Sequence, residues 1–252
     1  MDEQTPIPAA TVVVMRDRTD GPPELLMLER AQAMAFAGGA LVFPGGRIDP
    51  ADHALAQLHG GDPEDTAGRI AAIRETIEEA ALPVGLDGSA DAAAMKAMRA
   101  GLAEGETLAS LMAAHRLSLA LDRLEPFARW CPNHPIARVF DTRFYLTQAP
   151  DDAPRAMVDQ TENVRLFWAS AAQVLADADA GRVTLIFPTR RNLERLALFA
   201  SYDEAVAHAR AHSIRTITPI QEERADGTRH LSIPDDVGYP VTSEPMTGAM
   251  RG

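Results

Sequence analysis

The run Arg74-Glu75-Thr76-Ile77-Glu78-Glu79 places three carboxylates and a guanidinium within one short stretch. At about 100° per residue on a helix, Glu75, Glu78 and Glu79 fall within an arc of about 100°, and Ile70, Ile73 and Ile77 lie on the opposite side. Such a helix buries its isoleucines and presents the carboxylates together. Three like charges this close repel and raise one another's pKa unless a cation intervenes. An oxygen-only set suits a hard divalent ion, Mg2+ or Mn2+, rather than zinc. Arg74 is spaced to pair with Glu78 at i,i+4 and hold its orientation. A solvated acidic helix face has the same spacing, so the helix alone leaves both readings open.

Upstream, Phe43-Pro44-Gly45-Gly46-Arg47-Ile48-Asp49 reads as a strand running into a tight turn. Paired glycines let a backbone approach a ligand closely, and a carbonyl of Gly45 or Gly46 can complete an oxygen shell with the helix carboxylates. Turn and helix together resemble the signature of the Nudix hydrolases, G-x5-E-x7-R-E-U-x-E-E-x-G-U with U aliphatic. Gly46 matches the opening glycine, and Arg74, Glu75, Glu78, Glu79 and Leu82 match the second half. Asp52 stands where the first glutamate belongs, with an insertion of 14 residues between it and Arg74. Thr76 replaces an aliphatic residue and Ala81 the late glycine, a change that bears on where the helix ends.

The resemblance extends to a Nudix branch that includes a peroxisomal coenzyme A diphosphatase and carries a similar insertion. It runs through Met34 to Gly39, Ala72 to Thr76, Phe140 to Phe144, and Pro188-Thr189 with Leu193, and covers about Ala10 to Pro234. It implies an α/β/α sandwich with a mixed sheet, and hydrolysis of a phosphoanhydride supported by Mg2+ or Mn2+. It implies Gly46, Glu75, Glu78 and Glu79 as metal ligands, with Glu75 a ligand or proton acceptor and Arg74 part of the catalytic set. Glu162 resembles the position from which many relatives supply a further carboxylate; a surface loop glutamate is the plainer reading. Arg30, ahead of Gly39 and the Pro-Gly-Gly turn, partly matches a coenzyme A recognition pattern, with Leu28 and Ala35 where a Thr and a second Arg would stand. Relatives are often dimers, so a homodimer using the extensions is compatible with it.

Arg190 and Arg191, followed by Arg195, form a basic cluster beside Pro188-Thr189 that could bind a substrate phosphate or form an exposed helix face. Asp49 and Asp52 read as turn-forming or capping residues. His134 and Cys131, in a proline-bounded loop, read as structural, and Trp130 and Trp168 as core.

The elements that position these residues are short. Ala10–Met15 and Glu24–Glu29 read as two strands around Asp20-Gly21-Pro22-Pro23, and Ala40–Phe43 as a third. Asp65–Leu82 reads as a helix stopped by Pro83, and Asp91–His115 as one or two helices. Arg123–Trp130, Ala137–Thr147 and Val164–Trp168 read as strands. Ser170–Ala180, Thr189–Ala200 and Tyr202–His212 read as helices, Arg215–Ile220 as a last strand, and the tail after Pro234 as irregular. The expectation is one α/β (α+β) domain over residues 1–252. It carries insertions at about 52–65 and 86–115 and a C-terminal helical extension over about 188–234.

The 252 residues are 46% hydrophobic and 24% charged, which fits a globular chain and excludes wholesale disorder. A net charge of -12 disfavours a duplex nucleic acid partner and an anionic membrane surface. The lone cysteine, Cys131, excludes an intramolecular disulfide, and there is no long apolar run to span a membrane. The Met1–Pro8 segment lacks the order of a signal peptide, so a cytoplasmic protein is expected. Three functions compete: hydrolysis of coenzyme A or an acyl derivative, hydrolysis of ADP-ribose or a dinucleotide, and non-catalytic nucleotide binding. Each takes a small nucleoside diphosphate derivative, and the clustered carboxylates argue against the last.

Overall fold

The computed structural model describes residues 5–34, 37–132, 139–151, 154–159 and 161–246. Its elements run β1 (Ile7–Arg16), β2 (Glu24–Arg30), β3 (Ala40–Val42), β4 (Gly45–Arg47), α1 (Pro50–Ala56), α2 (Pro63–Ala80) and β5 (Leu86–Asp87). There follow α3 (Ala92–Ala103), α4 (Leu108–His115), β6 (Ser118–Leu119), β7 (Glu125–Trp130), β8 (Phe140–Gln148) and β9 (Asn163–Ser170). The chain closes with α5 (Ala171–Asp179), β10 (Thr184–Leu185), α6 (Phe187–Leu196), α7 (Tyr202–Arg210), β11 (Thr216–Ile217), β12 (Ile220–Glu223), β13 (Arg229–Ser232) and β14 (Ser243–Pro245).

Alternation along β1 builds two layers at once. Val12 and Val14 join Ile70, Ile73 and Ile77 of α2 in one core. Val13 and Met15 join Leu193 and Leu196 of α6, with Phe127 and Trp130, in the other. A strand whose successive side chains face opposite ways and are all apolar must be covered on both sides. The result is the expected sandwich: a mixed sheet with α2, α3 and α4 on one face and α5, α6 and α7 on the other.

The sheet opens where the site lies. β1 pairs with β8 in parallel along its length, but meets β2 only at Met15–Leu25 and Arg16–Glu24. Nearer its start the same edge of β1 pairs instead with β4, from Ala9–Arg47 to Thr11–Gly45. β3 pairs with the far end of β2, and the Val12 N–H donates to the Pro44 carbonyl at 2.9 Å. The Phe43-Pro44-Gly45 segment is thus wedged into the fork between β1 and β2.

The carboxylate helix spans Pro63–Ala80, two residues earlier at each end than the periodicity alone gives. The Asp62 side chain accepts from the Asp65 N–H and Pro63 opens the first turn. Ala81 takes the left-handed C-cap position, with φ 51° and ψ 39°. Gly68 lets α2 sit close on β8, since a Cβ there would lie 2.5 Å from the Tyr145 hydroxyl.

The C-terminal part departs from expectation. The extension is helical only through α6 and α7. The last strand splits at Pro219, which lacks the N–H needed to continue a ladder. β11 therefore stays on the main sheet beside β7, while β12 starts a separate three-stranded sheet with β13 and β14. The tail after Pro234 holds a strand, because Ser243–Pro245 pairs with His230–Ser232. His134, the Ala137 start of the eighth strand, and Ala35 and Phe36 lie outside the described residues.

Candidate active site

The helix face of Glu75, Glu78 and Glu79 is not a solvated surface. It packs against the Gly45–Arg47 strand held in the sheet fork. Glu79 is 5% exposed; its Oε2 accepts from the Gly45 N–H at 2.9 Å and its Oε1 from Asn163 Nδ2 at 2.9 Å. Glu75 lies so close over Gly46 that a Cβ there would meet its Oε1 at 2.2 Å. Any side chain at position 46 would displace that carboxylate.

Arg74 organises the cluster. Nη1 donates to Glu75 Oε1 at 2.8 Å and to Glu78 Oε2 at 3.0 Å. Nη2 donates to the Arg47 carbonyl at 2.8 Å, and Nη2 and Nε engage both oxygens of Asp52. One guanidinium therefore ties α2 to β4 and to α1. Burial opposes its charge, but Asp52 and Glu75 outweigh that and hold its pKa above the ordinary value. Asp52 caps α1 as read from sequence, accepting from the Asp49 N–H at 2.9 Å, and also serves as a buried counterion.

Burial pushes the carboxyl of Glu75 up to about 8, against the attraction of Arg74, with the charges of Glu79 and Glu78 adding to the rise. Burial likewise raises Glu79 to about 7 in spite of its two hydrogen bonds. Glu78 is raised in the same direction by its burial. Desolvated, mutually repelling carboxylates gain most from a nearby cation. Among the described residues no three His, Cys, Asp or Glu side chains form a ready cage for an ion. The donors present are hard oxygens, the type Mg2+ and Mn2+ take.

Beside this cluster opens a cleft of about 390 Å³, walled by Gly45, Gly46, Arg47, Asp49 and Glu75 on one side. Arg30 and Glu162 line it as well, with Arg30 Nη2 3.4 Å from Glu162 Oε2. The Arg30 side chain is 14% exposed and its Nε has no partner. Phe43, Trp130, Phe144, Ile186 and Pro188 make the remaining wall apolar.

The fold thus gathers Gly46, Arg74, Glu75, Glu78, Glu79, Arg30 and Glu162 into one region. Arg190 and Arg191 stand apart. Arg191 is 1% exposed and binds Glu194 and Glu244, while Arg190 binds Asp179 and Glu194. The cleft takes Pro188 and Thr189 from that segment instead. Trp130 is core as expected, donating to the Tyr239 hydroxyl at 3.0 Å, and also borders the cleft. Two contributors escape sequence reasoning: Asn163, which bonds Glu79, and Asp159, which accepts from the N–H groups of Thr161, Glu162 and Asn163. No spacing rule marks an amide one position past Glu162.

No family model matches the chain. It is 26% identical over 278 residues to the acyl-coenzyme A diphosphatase NUDT19 of Gallus gallus, covering 86% of this chain and 73% of that one. It is 28% identical over 182 residues to putative nudix hydrolase 7 of Caenorhabditis elegans, covering 71% of this chain and 57% of that one. The crystal structure of a NUDIX hydrolase from Alicyclobacillus acidocaldarius superposes with a TM-score of 0.69 at 27% identity, over 81% of this chain and 96% of that one.

Proposed function

From the premise that the chain is of the Nudix hydrolase type and resembles the branch with an insertion in its box, we propose that it is a divalent-metal-dependent diphosphatase of coenzyme A or acyl-coenzyme A. The observation that carries this reading is the placement of Glu75. Desolvated, paired with Arg74 and pressed on Gly46, it forms the wall of a cleft that also holds Arg30 and Glu162.

Glu75, Glu78, Glu79 and the Gly46 carbonyl would hold Mg2+ or Mn2+. When bound, the ion supplies charge neutralisation on the phosphate oxygens and activates a water. Arg74 keeps Glu75 and Glu78 oriented. Arg30 offers its half-satisfied guanidinium to a phosphate oxygen, which suits a fork-shaped donor. Glu162 lines the same cleft beside Arg30 and would supply a further carboxylate near the phosphates. The apolar wall receives the uncharged part of the substrate. The likeness to the Gallus gallus diphosphatase supports coenzyme A over other nucleoside diphosphates.

The test is a hydrolysis panel of coenzyme A, an acyl-coenzyme A, ADP-ribose and NADH with Mg2+ or Mn2+, products resolved by chromatography. Metal-dependent release of 3′,5′-ADP from coenzyme A supports the reading. Exclusive cleavage of ADP-ribose or NADH would move the substrate to that class, and tight nucleotide binding with no cleavage would make the chain a binder.

A further inference from the structure

The box helix ends without a cation of its own, since its last turn holds no basic residue. The exposed carbonyls of a helix C-terminus attract positive charge and need donors. Arg99, in the middle of α3, supplies both. Its Nε donates to the Ile77 carbonyl at 3.2 Å, and its Nη groups reach the carbonyls of Met157 and Val158. The Met157 N–H returns to the Ala80 carbonyl at 2.9 Å. Residues 157 and 158 are thereby strapped to the end of the carboxylate helix by a side chain from the segment that reads as an insertion.

The next described residue is Asp159, whose carboxylate feels the Arg99 charge. Its oxygens accept from the N–H groups of Thr161 at 3.1 Å, Glu162 at 2.7 Å and Asn163 at 3.2 Å. Asn163 then bonds Glu79, and Glu162 lines the cleft beside Arg30. A continuous chain of contacts runs from Arg99 through 157–159 to Glu162 and Asn163 at the site.

We propose that Arg99 is a positioning residue: it fixes residues 157–159 on α2, so that Asn163 at the start of β9 meets Glu79 and Glu162 faces the cleft. The helical segment 86–115 then sets the geometry of the site although none of its residues lines the cleft. This rests on the hydrolase reading above. Arg99 touches no reacting atom, so its loss acts through the loop, where outer partners of metal ligands are worth about 10–100-fold.

The experiment compares wild type, Arg99→Met and Arg99→Lys by amide hydrogen exchange and by steady-state coenzyme A hydrolysis. Met keeps the aliphatic stem, and Lys restores the charge. The expected result is faster exchange at the Thr161, Glu162 and Asn163 amides in Arg99→Met with the core of β1 and β8 unchanged. A fall in kcat of about tenfold with KM within about twofold should accompany it, and Lys should recover part of both. Unchanged exchange at those three amides would overturn the proposal, as would faster exchange spread over the whole molecule without a local excess. If wild type cleaves no substrate, the hydrolase reading fails, and the exchange comparison still decides the role of Arg99.

Discussion

Arg74 and Asp52 form a two-point ion pair, Nη2–Oδ2 at 3.0 Å and Nε–Oδ1 at 3.2 Å, with Asp52 only 2% exposed. The pair reaches across the whole inserted stretch and welds α1 to the box helix. Asp52 therefore acts from the place of the first glutamate of the signature. Asp52→Ala strips Arg74 of its buried partner and the Asp49 N–H of its acceptor, while Glu75 and Glu78 still face the guanidinium. A loss of about 2–3 kcal/mol in urea unfolding is expected. A change below about 0.5 kcal/mol would show that the pair contributes nothing net.

Gly46→Ala is expected to disable the site without disturbing the backbone. The added Cβ would lie within 2.2 Å of Glu75 Oε1, so the carboxylate must leave the turn. Metal affinity, read by Mn2+ titration, should fall by about 10–100-fold. Unaltered affinity would mean that Glu75 acts from another position.

Ala81→Gly is expected to leave stability nearly unchanged, because opposing terms meet there. Ala81 holds the left-handed C-cap of α2 at φ 51°, a conformation that costs a residue with a Cβ about 1–2 kcal/mol and glycine nothing. Against that gain stand the unfolded-chain entropy of glycine, about 0.5–1 kcal/mol, and the loss of a core methyl on a residue 3% exposed, about 0.8 kcal/mol. A loss above about 2 kcal/mol in thermal unfolding would show that the methyl outweighs the strain.

Metal-free stability should depend on pH through the two buried carboxyls. Glu75 near 8 and Glu79 near 7 both lie above their unfolded values. Their contribution is full below the unfolded carboxylate pKa of about 4.3, declines as pH rises, and is gone once pH has passed the folded values of 7 to 8. Melting temperature without metal should therefore fall from about pH 5 to about pH 8 and level off above, and the increment on adding Mg2+ should grow over the same interval. Glu75→Gln should flatten the metal-free profile. A profile that rises with pH would reverse the sign of the account.

The periodic signals carried the architecture well. The apolar run Ala10–Met15 and the isoleucine spacing of α2 marked residues that the fold buries. The turn-plus-helix pattern likewise located Gly46 and the carboxylates. What stayed illegible was set by distant pairing. Arg190 and Arg191 look like a free basic patch in sequence, yet Glu194 and Glu244 consume their charge, and Glu244 arrives from the tail read as irregular. Glu79 looks solvent-facing on the wheel, but Gly45 and Asn163 bury it. The link between Arg99 and residues 157–159 depends on a contact across 58 residues of sequence, and no local pattern encodes it.

The central claim, that the α2 carboxylates hold the ion that drives hydrolysis, is tested most directly by Glu78→Gln. The substitution keeps volume and helix propensity and removes one charge, while Arg74 retains Asp52 and Glu75. The measurement is the initial rate of coenzyme A cleavage against Mg2+ concentration, alongside the metal-free melting temperature. The account predicts a rate loss of at least about 100-fold, the loss of a metal's several kcal/mol of charge stabilisation, with a metal-free melting temperature unchanged or slightly raised. Retained Mg2+-dependent cleavage together with a clear drop in metal-free stability would contradict it and make Glu78 a structural partner of Arg74.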